Sequence, residues 1–241
     1  PIVQPPPANR APVAEANKTL TIDEDATNQA LSINTPTDAD GNSLTITVTA
    51  LPSGGTLATA EGTAVTTSSP LTITQLTGLV FTPDANLNDD TTTFGTFTYS
   101  VSDGSLTDSS TVTISVTPVN DAPELVGIME FAVNENTTAV ATISATDVDG
   151  DTLTYSVTGG DDQALFEIDS STGTLSFIAR PDYENPGDSD QDNIYLVQVT
   201  VSDGNGGSVS QGYVITVNKI LEGTAKSDTL FGGSGNDTIY G

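Results

Sequence analysis

"YLVQVTVSDGNGGSVSQGYVITV", residues 195–217, decides how this chain folds. Tyr195, Val197, Val199 and Val201 fall on every second position, and Tyr213, Ile215 and Val217 do so again after a polar break. Alternate side chains of an extended segment share a face, so each run is a strand with one apolar side. Valine, isoleucine, threonine and tyrosine favour that pleated surface, and the Asp-Gly, Asn-Gly and Gly-Gly pairs between the runs carry turn chemistry.

The same period of two recurs upstream, in Leu44, Ile46 and Val48, in Phe97, Tyr99 and Val101, and in Val112, Ile114 and Val116. No stretch repeats convincingly at helical spacing. The pattern predicts all-β architecture with about seven strands per sandwich.

Internal repetition sets the domain count. "NRAPVAEANKTLTIDEDAT" (9–27) aligns with "NDAPELVGIMEFAVNENTT" (120–138), "TDADGNSLTITV" (37–48) with "TDVDGDTLTYSV" (146–157), and "VSDG" occurs at 101–104 and 201–204. Three matches in one order make a domain repeat. The expected layout is a linker at 1–8, sandwiches at 9–119 and 120–219, and a separate segment at 220–241. Pro118 and Pro123 bracket the connector between the sandwiches, which suits a short, stiff link. The start in a proline run and the end inside a glycine motif suggest a piece of a longer polypeptide.

Charge restricts the partners. With 32 acidic against 5 basic residues the formal net charge is −27, which disfavours nucleic acid and anionic membrane surfaces. No apolar stretch is long enough to cross a bilayer as a helix, so no membrane insertion is expected. The chain has no cysteine and no histidine, which removes disulfides, thiolate metal sites and the usual nucleophile–base pairs. A cation remains the natural partner for so much carboxylate.

Asp147, Asp149 and Asp151 show where that cation is needed. Two like charges about 4 Å apart repel by about 4 kcal/mol at an effective dielectric of 20. Calcium takes six to eight oxygens from carboxylates, amides, carbonyls and water on loops that wrap it. Asp-Gly pairs also close β-turns without any metal. What favours the metal is the ordered recurrence of Asn-x-Ala-Pro, an acidic turn, Asp-x-Asp-Gly and Ser-Asp-Gly in both units.

On "NEN" (134–136), "ATDVDGD" (145–151), "FEIDSSTGTLSF" (166–177), "PDYEN" (181–185) and "VTVSDGNGG" (199–207), the second unit resembles a cadherin repeat. With "NRAPVA", "DED", "TDADG", "FTPDAN" and "YSVSDG", the first resembles the cadherin-like repeats of large bacterial surface proteins. The resemblance implies two tandem Ig-like, cadherin-like Greek-key β-sandwiches with calcium, Ca2+, at the junctions between neighbouring domains of the chain. Carried over by position, it groups Glu24, Asn120, Asp121, Asp147, Asp149 and Asp203 around one junction. Asp84 has Asn86 after it where the family has a second acid. Glu135, Asp182 and Glu184 belong at the far end of the second unit, where Lys219 replaces an expected Asp. Asp38, Asp40 and Asp103 belong at the opposite end of the first, where Arg10 stands in the connector position.

"EGTAKSDTLFGGSGNDTIYG" (222–241) repeats every nine residues through Gly223, Gly232 and Gly241, with Asp228 and Asp237 in register. It resembles the start of the glycine-rich repeats of the repeats-in-toxin (RTX) family, which implies calcium between the turns of a parallel β-roll. Two nonapeptides offer few neighbours for stacking, so poor order is expected there.

Together these readings point to a calcium-rigidified spacer or adhesion segment of a large secreted or surface-anchored bacterial adhesin. The resemblance implies export by the route that serves RTX proteins. The alternative is a calcium-dependent module that binds polysaccharide or another cell-surface ligand, although no tryptophan is available for stacking on sugar. Enzymatic activity is not expected, since the carboxylates are accounted for as cation ligands.

Overall fold

Burial alternates along every long strand of the computed structural model, which describes residues 8–68, 70–222 and 238–240. In Thr96–Ser102, Phe97, Tyr99 and Val101 are fully buried while the residues between them are half-buried. In Ile194–Ser202, Tyr195, Val197, Val199 and Val201 are buried in the same rhythm. Removal of this apolar surface from water drives assembly of the sheets.

The chain divides into two units, Pro1–Val119 and Asn120–Gly241. In the first, a five-stranded sheet runs in the order Lys18–Asp23, Thr107–Thr117, Thr96–Ser102, Thr45–Ala50, Pro70–Leu71. A second sheet holds Gln29–Ala30, Val80–Pro83 and Gly55–Ala58. Residues of both sheets share one core, in which Phe81 and Phe94 meet edge to face at 6.3 Å and Phe97 stacks on Tyr99 at 5.6 Å.

The second unit has a four-stranded sheet ordered Glu130–Asn134, Ser208–Asn218, Ile194–Ser202, Thr154–Gly159. A three-stranded sheet of Ala139–Thr142, Thr174–Phe177 and Phe166–Ile168 packs into the same core, centred on Phe166, Phe177 and Tyr195. Ser144–Thr146 pairs with Glu124–Val126 in a small antiparallel sheet.

In both units an early strand runs parallel to the strand that closes the sandwich. Lys18–Asp23 lies along Val112–Thr117, and Glu130–Asn134 lies along Val214–Asn218. This pairing carries each acidic turn, Glu24 and Glu135, to the end at which that closing strand finishes.

Two short helical elements depart from the sequence expectation, the 3-10 turn Gln163–Leu165 and one turn in the first unit. Ile73–Thr77 is a single helical turn, too short to display a helical period. Its signal is local: Thr72 Oγ1 accepts the Gln75 N–H at 3.2 Å, and Gln75 Oε1 accepts the Thr72 N–H at 2.9 Å, a reciprocal cap around buried Leu76.

The 169–174 turn of the second unit shows how much one carboxylate organises through hydrogen bonds. Asp169 Oδ1 accepts the Ser171 hydroxyl at 2.7 Å and the N–H groups of Ser171 and Thr172 at 3.0 and 2.8 Å. Gly173, at φ +70°, then closes against the carbonyl of Ile143. The Ser171 hydroxyl, followed by the Thr172 amide, holds the Asp169 carboxyl down at about 2. The folded value lies below the ordinary 3.8, so this stabilisation is complete above about pH 4 and is lost as pH falls through about 2. Carbon-13 NMR titration is expected to place the Asp169 carboxyl near 2. A midpoint near 4 would show that these three donors do not hold it.

Candidate cation sites

Three passes of the second unit converge at one end. Pairing of Thr146 with Glu124 sets the loop after Ser144–Thr146 beside the connector. Pairing of Thr154 with Ser202 then brings that loop beside the hairpin turn between Ser202 and Ser208. Asn120 Nδ2 donates to Asp203 Oδ2 at 2.8 Å, and the Asp121 N–H donates to Asp149 Oδ2 at 2.8 Å.

Asp147, Asp151 and Asp203 each offer one carboxylate oxygen here, all within 4.8 Å of one another. Asp147 Oδ1 accepts the N–H groups of Asp149 and Asp151 at 3.0 and 3.2 Å, while its Oδ2 is sealed from solvent and meets no donor. Asp203 Oδ1 accepts three consecutive amides, Asn205, Gly206 and Gly207, at 2.8, 3.1 and 3.0 Å. The Asn120 side chain, then these amides, hold the Asp203 carboxyl below its usual range. A Cβ on Gly207 would press on Asp203 Oδ2 and come within 2.8 Å of Ala122 Cα, so this turn closes on the connector only as glycine. Among the described residues no salt bridge reaches these carboxylates. Clustered hard oxygens, one of them buried without a donor, fit calcium.

The first unit repeats this framework with a different charge. Asn9 Nδ2 donates to Asp103 Oδ2 at 2.8 Å, and the Arg10 N–H donates to Asp40 Oδ2 at 2.7 Å. Asp38 Oδ1 accepts Asp40 and Asn42 N–H groups at 2.8 and 3.1 Å, while Asp38 Oδ2 is sealed without a donor, as in Asp147. The Arg10 guanidinium then grips Asp40 Oδ1 through Nε at 3.0 Å and Nη2 at 2.7 Å. That grip holds the Asp40 carboxyl below its usual range. Asn42 stands where the second unit has Asp151, so this end has one carboxylate fewer and a built-in cation.

At the other end of the first unit Glu24 is 2% exposed. Its Oε1 accepts the Val119 N–H at 2.6 Å and its Oε2 accepts Asn88 Nδ2 at 2.9 Å. Asp84 is exposed, and neither it nor Glu24 joins a three-carboxylate cluster among the described residues. In the second unit Glu135 Oε1 accepts the Ile220 N–H at 2.8 Å and Oε2 the Tyr183 N–H at 3.2 Å. Asp182 and Glu184 gather beside Glu135. Lys219 Nζ lies 2.6 Å from Glu184 Oε1 and holds that carboxyl low, so a lysine already supplies positive charge here.

The sequence itself matches the bacterial Ig domain twice, over residues 9–115 and 120–216, most of the chain. The chain belongs to the bacterial Ig domain family. Residues 220–241, beyond these two bacterial Ig domains, match the RTX calcium-binding nonapeptide repeat. Within that stretch Ile220–Glu222 pairs in parallel with Thr238–Tyr240, while Asp228 and Asp237 lie outside the described residues.

Among solved structures, human protocadherin-24 EC1-2 matches at 21% identity with a TM-score of 0.52, covering 87% of this chain and all (100%) of that one. Mouse cadherin-23 EC22-24 matches at 18% identity with a TM-score of 0.49, over 87% of this chain and 65% of that one. The protocadherin likeness shows the fold: these bacterial Ig domains are cadherin-like β-sandwiches, followed by an RTX segment. No curated protein matches the chain.

The structure thus gathers Asp147 and Asp203 from the expected set, with Asn120, Asp121 and Asp149 tied in by hydrogen bonds, and it adds Asp151. Sequence reasoning also passed over a second group in the same bacterial Ig domain, Asp188, Asp190 and Asp192. The available signal was the one that drew attention to 147–151: three aspartates at alternate positions.

Proposed function

We propose that the second unit binds calcium through Asp147, Asp151 and Asp203, and that the chain is a calcium-stiffened segment of a secreted or surface-anchored bacterial adhesin. The observation that carries the reading is Asp147 Oδ2, buried without a donor among carboxylates that no salt bridge reaches among the described residues. Asn120, Asp121 and Asp149 fasten the connector to the same loops, so an ion there ties residues 120–123 to the sandwich that follows. The RTX calcium-binding match beside these domains supports an extracellular setting, where calcium is supplied after export. Among the described residues no helix is long and apolar enough to cross a membrane. Bacterial Ig and cadherin-like domains are typically non-enzymatic adhesion modules, and we read this chain as one.

Calorimetric titration of the full chain with calcium tests the site. Replacing Asp147→Asn and Asp203→Asn together preserves shape but removes two ligand charges, and should delete at least one bound ion per chain. Equal stoichiometry and affinity in the double variant would overturn the assignment, whatever calcium the RTX segment takes up.

A further inference from the structure

The loop from Pro181 to Asn193 carries a cation problem of its own. Asp188 is 4% exposed, and its Oδ2 accepts the Asp192 N–H at 2.7 Å. Its Oδ1 is sealed from solvent and, among the described residues, meets no well-formed hydrogen-bond donor. The neighbouring Tyr195 hydroxyl accepts the Gly187 N–H at 3.2 Å and stands close enough to the Asp188 carboxylate to interact with it, yet among the described residues no well-formed hydrogen bond reaches Oδ1. Asp190 and Asp192 each bring a carboxylate oxygen to within 4.8 Å of the Asp188 carboxylate and of each other.

A fourth carboxylate backs the loop. Asp162, also 4% exposed, accepts the Ser189 N–H through Oδ1 and the Leu196 N–H through Oδ2, each at 2.8 Å. No salt bridge compensates this group among the described residues. Of the four described basic residues, Arg10, Lys18 and Lys219 pair with Asp40, Glu15 and Glu184, while Arg180, just before this loop, is exposed and makes no salt bridge to it among the described residues. A buried carboxylate oxygen with neither a well-formed donor nor a counter-charge is strongly unfavourable unless an ion meets it.

We propose that Asp188, Asp190 and Asp192 form a further calcium site, internal to the second unit, which clamps the loop before strand Ile194–Ser202. Asp188 supplies the buried ligand through Oδ1, Asp190 and Asp192 close over the ion from the exposed side, and water completes the shell. Calcium fits better than magnesium because it accepts several carboxylates and water in a flexible shell on a loop, whereas magnesium demands near-octahedral geometry and dehydrates reluctantly. The site shares no residue with Asp147, Asp151 and Asp203, and stands whether or not that cluster binds an ion.

The test uses the full chain and the variant Asp190→Asn/Asp192→Asn, which alters two exposed side chains and leaves buried Asp188 in place. Hydrogen exchange is followed by mass spectrometry over residues 186–194 with calcium chloride and with chelator, beside a calorimetric count of bound calcium. Calcium should slow exchange in this segment at least tenfold in the parent and not in the variant, and the variant should bind one ion fewer. Exchange at 186–194 indifferent to calcium, or an unchanged ion count in the variant, would overturn the site. If the chain still takes up calcium that Asp147→Asn/Asp203→Asn reduces, the proposed function survives that failure. A chain that takes up no calcium would remove both.

Discussion

Chelation should lower the unfolding temperature of the second unit by roughly 10 °C and leave that of the first almost unmoved. A ligand that binds only the native state adds about 2.7 kcal/mol at one hundred times its dissociation constant, and about 1 kcal/mol shifts a domain of this size by about 4 °C. The asymmetry follows from two residues. In the first unit the Arg10 guanidinium already sits on Asp40, and Asn42 removes a charge that the second unit keeps as Asp151. Scanning calorimetry in millimolar calcium and in chelator reads both transitions. The Asp147→Asn/Asp203→Asn variant should melt in calcium with a substantially reduced shift. A calcium shift of equal size in both units, or one that magnesium reproduces in full, would point to general screening of a chain carrying −27 and would sink the site-specific account.

Replacing Glu24→Ala should cost the first unit about 3 kcal/mol in calcium and in chelator alike. Its carboxylate is 2% exposed and serves two donors, the Val119 N–H at 2.6 Å and the Asn88 amide at 2.9 Å. Hydrogen bonds to a charged group contribute about 1.5 to 3 kcal/mol each, and both donors would be stranded. Glu24→Gln keeps one acceptor but turns a donor toward the other partner, so a loss of roughly half that size is expected. Urea unfolding followed by circular dichroism gives both values. A loss below about 1 kcal/mol for the alanine variant would mean that water replaces the carboxylate at little cost, and that Glu24 does not organise this end of the unit.

The strands were legible because burial follows the simplest periodicity a chain can have. Tyr195 through Val201 and Tyr213 through Val217 are buried where alternation put them. The helix at Ile73–Thr77 was not legible from period, since five residues complete little more than one turn. Its cap, Thr72 with Gln75, was written in the sequence at a scale that a search for stripes passes over.

The acidic turns were legible as groups but not residue by residue. Alternation places Asp147 and Asp149 on one side only while the chain stays extended. The chain instead turns over Asp147–Gly150, where the Gly150 N–H meets the Asp147 carbonyl at 3.4 Å and Gly150 takes φ +78°. Asp149 consequently takes the Asp121 N–H, and Asp151 joins the Asp147 cluster instead. At the other framework, position 10 was visibly a departure. Only the folded geometry gives the departure its physical meaning, a guanidinium within 3.0 Å of the carboxylate it neutralises.

The parallel pairing of Lys18–Asp23 with Val112–Thr117, and of Glu130–Asn134 with Val214–Asn218, has a mechanical consequence. When a sandwich is pulled by its two ends, force enters Lys18–Asp23 and Val112–Thr117 in opposite directions along one shared ladder, and likewise Glu130–Asn134 and Val214–Asn218. An antiparallel hairpin loaded at its open end unzips one rung at a time, each rung yielding alone. Parallel strands must slide past one another, so every rung resists together and rupture requires them to give way at once. A chain of such units holds under tension that would peel a hairpin apart.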